Sequence, residues 1–434
     1  MTTTAHPASE APAIDARKRR KDLVAVNIGN ALEWFDWNIY AIFAPFFAAQ
    51  FFSSTDTLSA LLSTLAIFAV GFLMRPIGGW VFGRIADRRG RRFSLTLAIA
   101  LAAIGSLIIA VSPTFAQIGV LASAVLLLAR LVQGLSHGGE TGSAFTYLAE
   151  VAPERRRGLW ASTPWVGVAI GSMAATGLGA ALTAILSDTA MAEYGWRIPF
   201  AIGALLGVYA LYIRFRMDES AHYEASAAEE ERPTLRATFS ELWAERRGAL
   251  QIVGLTISGV VAFYTWIIFA PGYASRAYGM DPTVALVIGV IAQAIFLVAC
   301  LAWGRYSDAV GRRPVLFVFS IGFLIAAIPL ELLLGGSPWT LMLTMGVAAI
   351  LMAANCAPLG AVFAELVPTR QRATLIGIAY ATSAAIFGGT APYLNTWLSS
   401  LGLHLGFAAY IMVLCAITTA VLIFMPETRG RALR

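Results

Sequence analysis

Long apolar runs, separated by glycine, proline, serine or charged residues, recur along the whole chain. They predict helices at 23–51, 58–84, 93–112, 116–149, 157–187, 196–216, 249–276, 283–305, 314–335, 338–365, 372–400 and 404–425. Each is long enough to cross a hydrocarbon core of about 30 Å at about 1.5 Å per residue. The pattern predicts an all-α membrane protein with twelve transmembrane helices. The longest polar interruption divides them into two sets of six. Residues 1–21 then form a tail, 22–216 a first six-helix bundle, 217–247 a solvated linker with room for a short amphipathic helix at 236–245, 248–425 a second bundle, and 426–434 a second tail.

The two sets repeat. "GRIADRRGRR" (83–92) returns 221 positions on as "GRYSDAVGRR" (304–313), and "AEVAPERRRG" (149–158) returns 215 positions on as "AELVPTRQRA" (364–373). "MDES" after the sixth run is echoed by "PETRG" after the twelfth. Internal repeats of six helices are the usual build of secondary transporters, with the substrate near the midplane between the repeats.

Composition agrees: 58% of residues are hydrophobic and 13% charged, against about a quarter charged in soluble domains. Mean hydropathy is +0.72. The net charge of +6 does not make a nucleic-acid stripe, because the basic residues fall in short clusters between apolar runs, at 17–21, 88–92, 154–157, 246–247, 311–313, 369–372 and 429–434. Putting all of these on one side is the positive-inside arrangement, with both termini cytoplasmic; Arg197 and Arg276 are the outward exceptions. The first run is too long for a signal-peptide core and lacks a small-residue cleavage site, so it is an uncleaved span. Cys300, Cys356 and Cys415 lie in apolar stretches as small hydrophobes.

Polar residues inside the runs carry the candidate chemistry. An ionised side chain at the bilayer centre costs about 2.5–3.5 kcal/mol on insertion scales, so such residues face a cavity or each other. In the fourth run Arg130, Gln133, His137 and Glu140 follow at steps of three, four and three, on one helical face. In the first, Asn27, Asn30, Glu33 and Asp36 recur every three residues, and Asp36 reaches a depth similar to that of Arg130 from the other side. Arg75, deep in the second run, either binds a carboxylate or neutralises Glu140 or Asp36. In the second set Tyr264, Trp266, Gln293, Asn355 and Tyr380 fall mid-span, where they either line a cavity or pack. The four histidines are scattered, so no metal constellation arises, and no cofactor is expected.

The loop after the second span and its copy resemble the signature of the major facilitator superfamily, over about residues 22–430. "GNALEWFDW" (29–37), "FAVGFLMRPIGGWVFGRIADRRGRR" (68–92), "LLLARLVQGLSHGGETG" (126–142), "GWRIPF" (195–200) and "AIFGG" (385–389) resemble its metabolite:proton symporter branch, whose bacterial permeases take α-ketoglutarate, shikimate, citrate, and proline or betaine. The stretch "YTWIIFAPGYA" (264–274) departs from that branch. The resemblance implies a monomeric bacterial cell-membrane carrier working by alternating access. It implies gating by Gly83, Asp87, Arg88, Gly304 and Asp308. Glu150 with Arg157, and Glu365 with Arg372, share one spacing across the second junction and are expected as ion pairs on the basic face. The resemblance also implies that a first-helix acid pairs with a fourth-helix arginine, so Asp36, Glu33 and Arg130 are the proton-coupling candidates. Arg130, Gln133, His137, Glu140, Arg75, Tyr264, Trp266, Asn355 and Tyr380 are the substrate-binding candidates.

The reading is proton symport of a small organic acid, a dicarboxylate of the α-ketoglutarate type, since arginine suits planar carboxylates. A zwitterion such as proline or a betaine is the alternative. An intramembrane enzyme lacks a nucleophile or metal constellation, and a channel does not fit duplicated gating loops. The expected partners are the substrate, protons and the lipid bilayer, with no nucleic acid.

Overall fold

The computed structural model describes residues 16–52, 56–89, 91–138, 148, 152–215, 245–368, 372–431 and 433. Among them run α1 (Ala16–Phe51), α2 (Thr57–Arg89), α3 (Arg91–Val111), α4 (Val120–Ser136), α5 (Arg157–Ile185) and α6 (Arg197–Phe215). The second set is α7 (Arg246–Tyr278), α8 (Pro282–Val310), α9 (Arg312–Leu333), α10 (Pro338–Leu366), α11 (Arg372–Ser400) and α12 (His404–Phe424). Ten of these twelve are long and apolar enough to cross a membrane. The others are α1, diluted by Asn27, Asn30, Glu33, Asp36 and Asn38, and the 17-residue α4. No membrane-depth sheet is needed, because each helix satisfies its own backbone.

Some boundaries differ from the sequence expectation. The first helix starts at Ala16, inside the stretch expected to be a tail. Arg17–Lys21 are straight-chain residues with good helix propensity, and no breaker separates them from the apolar run. The fourth helix stops at Ser136, with His137 and Gly138 in a turn. Most of its expected extension to 149 lies outside the described residues, as does nearly all of the linker, including the proposed helix at 236–245. α7 and α11 are interrupted by π-helical turns at Phe263–Phe269 and Ala384–Gly388.

Lipid tails are as apolar as leucine, so close backbone approach rather than hydrophobic burial selects the helix contacts. The tightest contact is α2 on α4. A Cβ at Gly134 would run into the Gly71 carbonyl, one at Gly78 into the Leu135 carbonyl, and one at Gly138 into the Arg75 carbonyl. This contact sets Arg75 and Arg130 on two adjoining helices that both face α1.

Two seams join the sets. Along α5 and α8, Gly158 meets Gly304 at one end, Gln293 Nε2 donates to Thr176 Oγ1 (3.0 Å) in the middle, and Thr283 donates to Thr183 (3.0 Å) at the other. Along α2 and α11, Gly389 lets Phe72 approach. The sets touch at both ends, with a narrow cleft between. Gly134→Ala should lower the melting temperature in detergent by several degrees, overpacking of this kind costing about 1–3 kcal/mol. Gly346→Ala, whose added methyl meets only an ordinary contact at 3.8 Å, should not.

Candidate functional site

A helix turns by about 100° per residue, which decides where the polar residues of α1 point. Steps of three rotate the face backwards, and between positions 27 and 36 it turns through about half a circle. The expected single polar face of α1 is therefore split. Asn27 accepts from the Gly167 backbone (3.1 Å) and Asn30 donates to the Pro164 carbonyl (2.6 Å), clamping α1 to α5. Asp36 points away from them, into α3 and α4. Glu33, on the intervening turn, is half-buried.

Steps of three and four keep Arg130, Gln133 and His137 together on α4. Arg130 NH1 donates to Gln133 Oε1 (2.9 Å), and Gln133 Nε2 donates to Asp36 Oδ2 (3.2 Å) and Ser106 Oγ (2.8 Å). Ser106 also donates to Asp36 Oδ1. The expected direct pair of Asp36 with Arg130 is thus relayed through the Gln133 amide. His137 turns Nδ1 to the Gln133 carbonyl (2.7 Å), a contact that requires the proton on Nδ1, and its Nε2 has no partner. Glu140 lies outside the described residues.

Arg130 is fully buried, and its guanidinium carbon lies 4.1 Å from the Trp37 ring centre and 4.2 Å from that of Tyr40. Arg75 lies over the same indole, at 3.9 Å, and over Phe72 at 4.4 Å. Two guanidiniums therefore share one tryptophan. They lie at most about 8 Å apart, where two unit charges in a medium of effective dielectric near 20 repel by about 2 kcal/mol. Among the described residues no carboxylate pairs with Arg75, and its Nε has no hydrogen-bond partner.

Arg75 lines the cleft between the sets, with Tyr264, Asn355 and Tyr380 from the second set. Trp34, Phe72, Trp165 and Phe263 complete an aromatic wall, and Trp34 stacks on Tyr264. Four of the expected substrate residues thus meet in one place. Arg130, Gln133 and His137 do not line it; they lie behind Trp37. Trp266 is buried away from it with its Nε1 unpartnered. Gln293 is spent on Thr176 and the Ile267 carbonyl.

At the end of the bundle carrying the basic clusters, Asp308 accepts from the backbone of Gly158 (2.7 Å) and Leu159 (2.9 Å), capping α5 where the helix dipole favours an anion. Arg157 pairs with Glu365 across the two sets at 3.2 Å, and Arg312 contacts both Asp308 (2.8 Å) and Glu365 (3.5 Å). Thr428 donates to Glu365 (2.7 Å), and Arg157 donates to the Arg431 carbonyl (3.0 Å), so the tail after α12 joins the same cluster. Arg372 is buried, donating to the Val367 carbonyl (3.2 Å). Glu150 and the side chains of Asp87 and Arg88 lie outside the described residues. Gly83 is exposed, with open space where a Cβ would stand.

The family profile described as Major Facilitator Superfamily matches residues 26–330 and 252–434. The α-ketoglutarate permease of Escherichia coli (strain K12) is 38% identical over 422 residues, 97% of this chain and 96% of that protein. The chain belongs to the major facilitator superfamily. The proline/betaine transporter of Salmonella typhimurium (strain LT2) is 31% identical, over 97% of this chain and 86% of its own length. The crystal structure of a D-xylose-proton symporter superposes with a TM-score of 0.73 at 18% identity, covering 95% of this chain and 99% of that one. The fold is thus the superfamily's fold, and the protein is a multi-pass membrane transporter.

Three features of this transporter escaped sequence reasoning. Ser106 carries no signal in an apolar run. Trp34 and Trp37 stand beside the expected acids, but aromatics in apolar helices usually pack. The tail's role is hinted at only by the echo "PETRG". Within it, burial pushes the Glu427 carboxyl up, but the backbone N–H groups of Arg312, Arg429, Arg313 and Thr428 outweigh this and hold it below its ordinary range. A lowered carboxyl contributes stability above its unfolded value and loses it as pH falls. Glu427→Ala should therefore lower the melting temperature at neutral pH by about 2–4 °C. The difference from wild type should fade as pH falls below 4.5, the ordinary value of the carboxyl.

Proposed function

We propose that this transporter is a proton symporter of a small organic acid, a dicarboxylate of the α-ketoglutarate type. It works by alternating access as a monomer in a bacterial cell membrane, with the basic face and both termini cytoplasmic. The observation that carries the reading is Arg75: a buried guanidinium lining the cleft, with no carboxylate partner among the described residues. A cation at membrane depth without an anion calls for one from the ligand. The identity to the α-ketoglutarate permease supports the same class. Of the two candidate arginines, Arg75 thus takes the substrate carboxylate and Arg130 serves the proton site.

Asp36 is the proton carrier in this reading. It is buried and held by Ser106 and Gln133, and a movement of α1 against α4 would separate it from Gln133. A dianion entering with one proton would still oppose an inside-negative potential, at about 2.3 kcal/mol per charge per 100 mV, so a second proton favours uptake. A second reading, transport of a zwitterion, is favoured by the aromatic wall of Trp34, Phe72, Trp165, Phe263 and Tyr264, which suits an ammonium group by cation–π attraction. Both readings place a carboxylate at Arg75.

Uptake of labelled α-ketoglutarate, proline and glycine betaine into proteoliposomes with an imposed proton gradient separates the two. Accumulation of the dicarboxylate alone is expected, and accumulation of betaine alone would select the second reading. Asp36→Asn should abolish accumulation while sparing downhill exchange. Arg75→Lys keeps the charge but loses the fork, and should weaken binding by about 10-fold or more, the equivalent of one charge-assisted hydrogen bond.

In the cycle proposed here, Asp308, Arg312, Arg157 and Glu365 lock the basic face and break on inward opening. Arg157→Glu should therefore raise cysteine accessibility from the cytoplasmic side, and Arg157→Glu with Glu365→Arg should restore it. Unchanged labelling in the single variant would contradict the lock.

A further inference from the structure

We infer that Trp37 is a coupling residue, the element through which a carboxylate at Arg75 is sensed at Asp36. The inference rests on the symport reading above.

Trp37 is fully buried and stands next to Asp36 on α1. Its ring carries Arg75 at 3.9 Å and Arg130 at 4.1 Å, while Arg130 alone reaches Asp36 through Gln133. One continuous row therefore links the cleft to the acid: Arg75, Trp37, Arg130, Gln133, Asp36. Arg130 Nε and NH2 have no hydrogen-bond partner, so aromatic faces replace the contacts a buried guanidinium would otherwise make. The ring itself is held by the two guanidiniums and by Phe72 and His137 around it.

The direction of coupling follows from the charges. An empty Arg75 adds to the positive field of Arg130 on its side of Trp37. An anion on Arg75 cancels its share, and proton binding at Asp36 becomes easier. By linkage, a protonated Asp36 then raises the affinity for the anion by the same factor. The indole does two things for this. It fixes the spacing of the two cations, and it excludes water that would otherwise screen them. Among the described residues, the titratable and charged groups facing this row are Glu33 and Tyr40 on α1, Arg75 on α2, Arg130 and His137 on α4, Tyr264 on α7, Cys356 on α10 and Tyr380 on α11; His137 packs against Trp37 with ring centres 5.1 Å apart.

The test is the Kd for α-ketoglutarate, measured on purified full-length protein in nanodiscs at two pH values either side of the Asp36 titration. In wild type, acidification should tighten binding about tenfold, within the usual span of coupled sites. Trp37→Leu should reduce that ratio to about twofold or less, whatever its absolute affinity, and Trp37→Phe should fall between, its smaller ring still offering a π face. Asp36→Asn should abolish the ratio and His137→Asn should keep it. A Trp37→Leu protein that binds more weakly at both pH values with the ratio intact would make the indole mere packing and overturn the inference. If Trp37→Leu does not fold, a wild-type ratio in Trp37→Phe overturns it equally. The reverse result at Asp36 and His137 would assign the proton to the histidine and also overturn it. A wild type with no ratio would overturn the proton-coupled reading itself, and this inference with it.

Discussion

A charge in hydrocarbon must be compensated where it stands, and the middle of this protein is arranged around that constraint. Two guanidiniums and a carboxylate lie close together at the core of α1, α2 and α4. The carboxylate is held by a serine hydroxyl and a glutamine amide, one cation by that same amide, and the other cation only by aromatic faces. The close glycine contacts between α2 and α4 make this possible, because they bring the helices bearing Arg75 and Arg130 against one face of α1. Among the described residues Arg75 has no carboxylate partner, and the proposed function rests on that.

The same logic runs through the basic face, where charges stand at a helix terminus rather than inside the bilayer. Asp308 caps α5 from the other helix set, and Glu365 gathers Arg157, Arg312 and Thr428. The contact depends on Gly158 and Gly304, since a Cβ at either would meet the opposite helix. The matching position in the first set, Gly83, faces open space. Among the described residues, the motif makes a tight contact in its second copy. The tail beyond α12 adds to the second copy through Thr428, Glu427 and Arg431.

Much of this was legible in the sequence. Helix order, the repeat and the family follow from run length and motif spacing, because hydropathy and helix pitch act locally. Arg130, Gln133 and His137 were placed together correctly since steps of three and four return to one helical face. The α1 residues misled for the same reason: steps of three drift, and by Asp36 the face had turned to a different neighbour. Whether a mid-span aromatic lines a cleft depends on which helix stands opposite. Tyr264 and Tyr380 reach the cleft and Trp266 does not, although sequence gives them equal standing. Gln133 as a relay, and one indole shared between two arginines, are three-dimensional facts with no one-dimensional trace.

The central claim is that anion binding and proton binding are one linked event in the symport cycle. Its most direct test is the proton stoichiometry of binding itself, followed with a pH-sensitive dye when α-ketoglutarate is added to purified protein in weakly buffered solution. The account predicts net proton uptake that saturates together with the ligand, and that falls in Asp36→Asn while the ligand still binds. Saturable binding with no proton uptake in wild type, or with proton release, would contradict it.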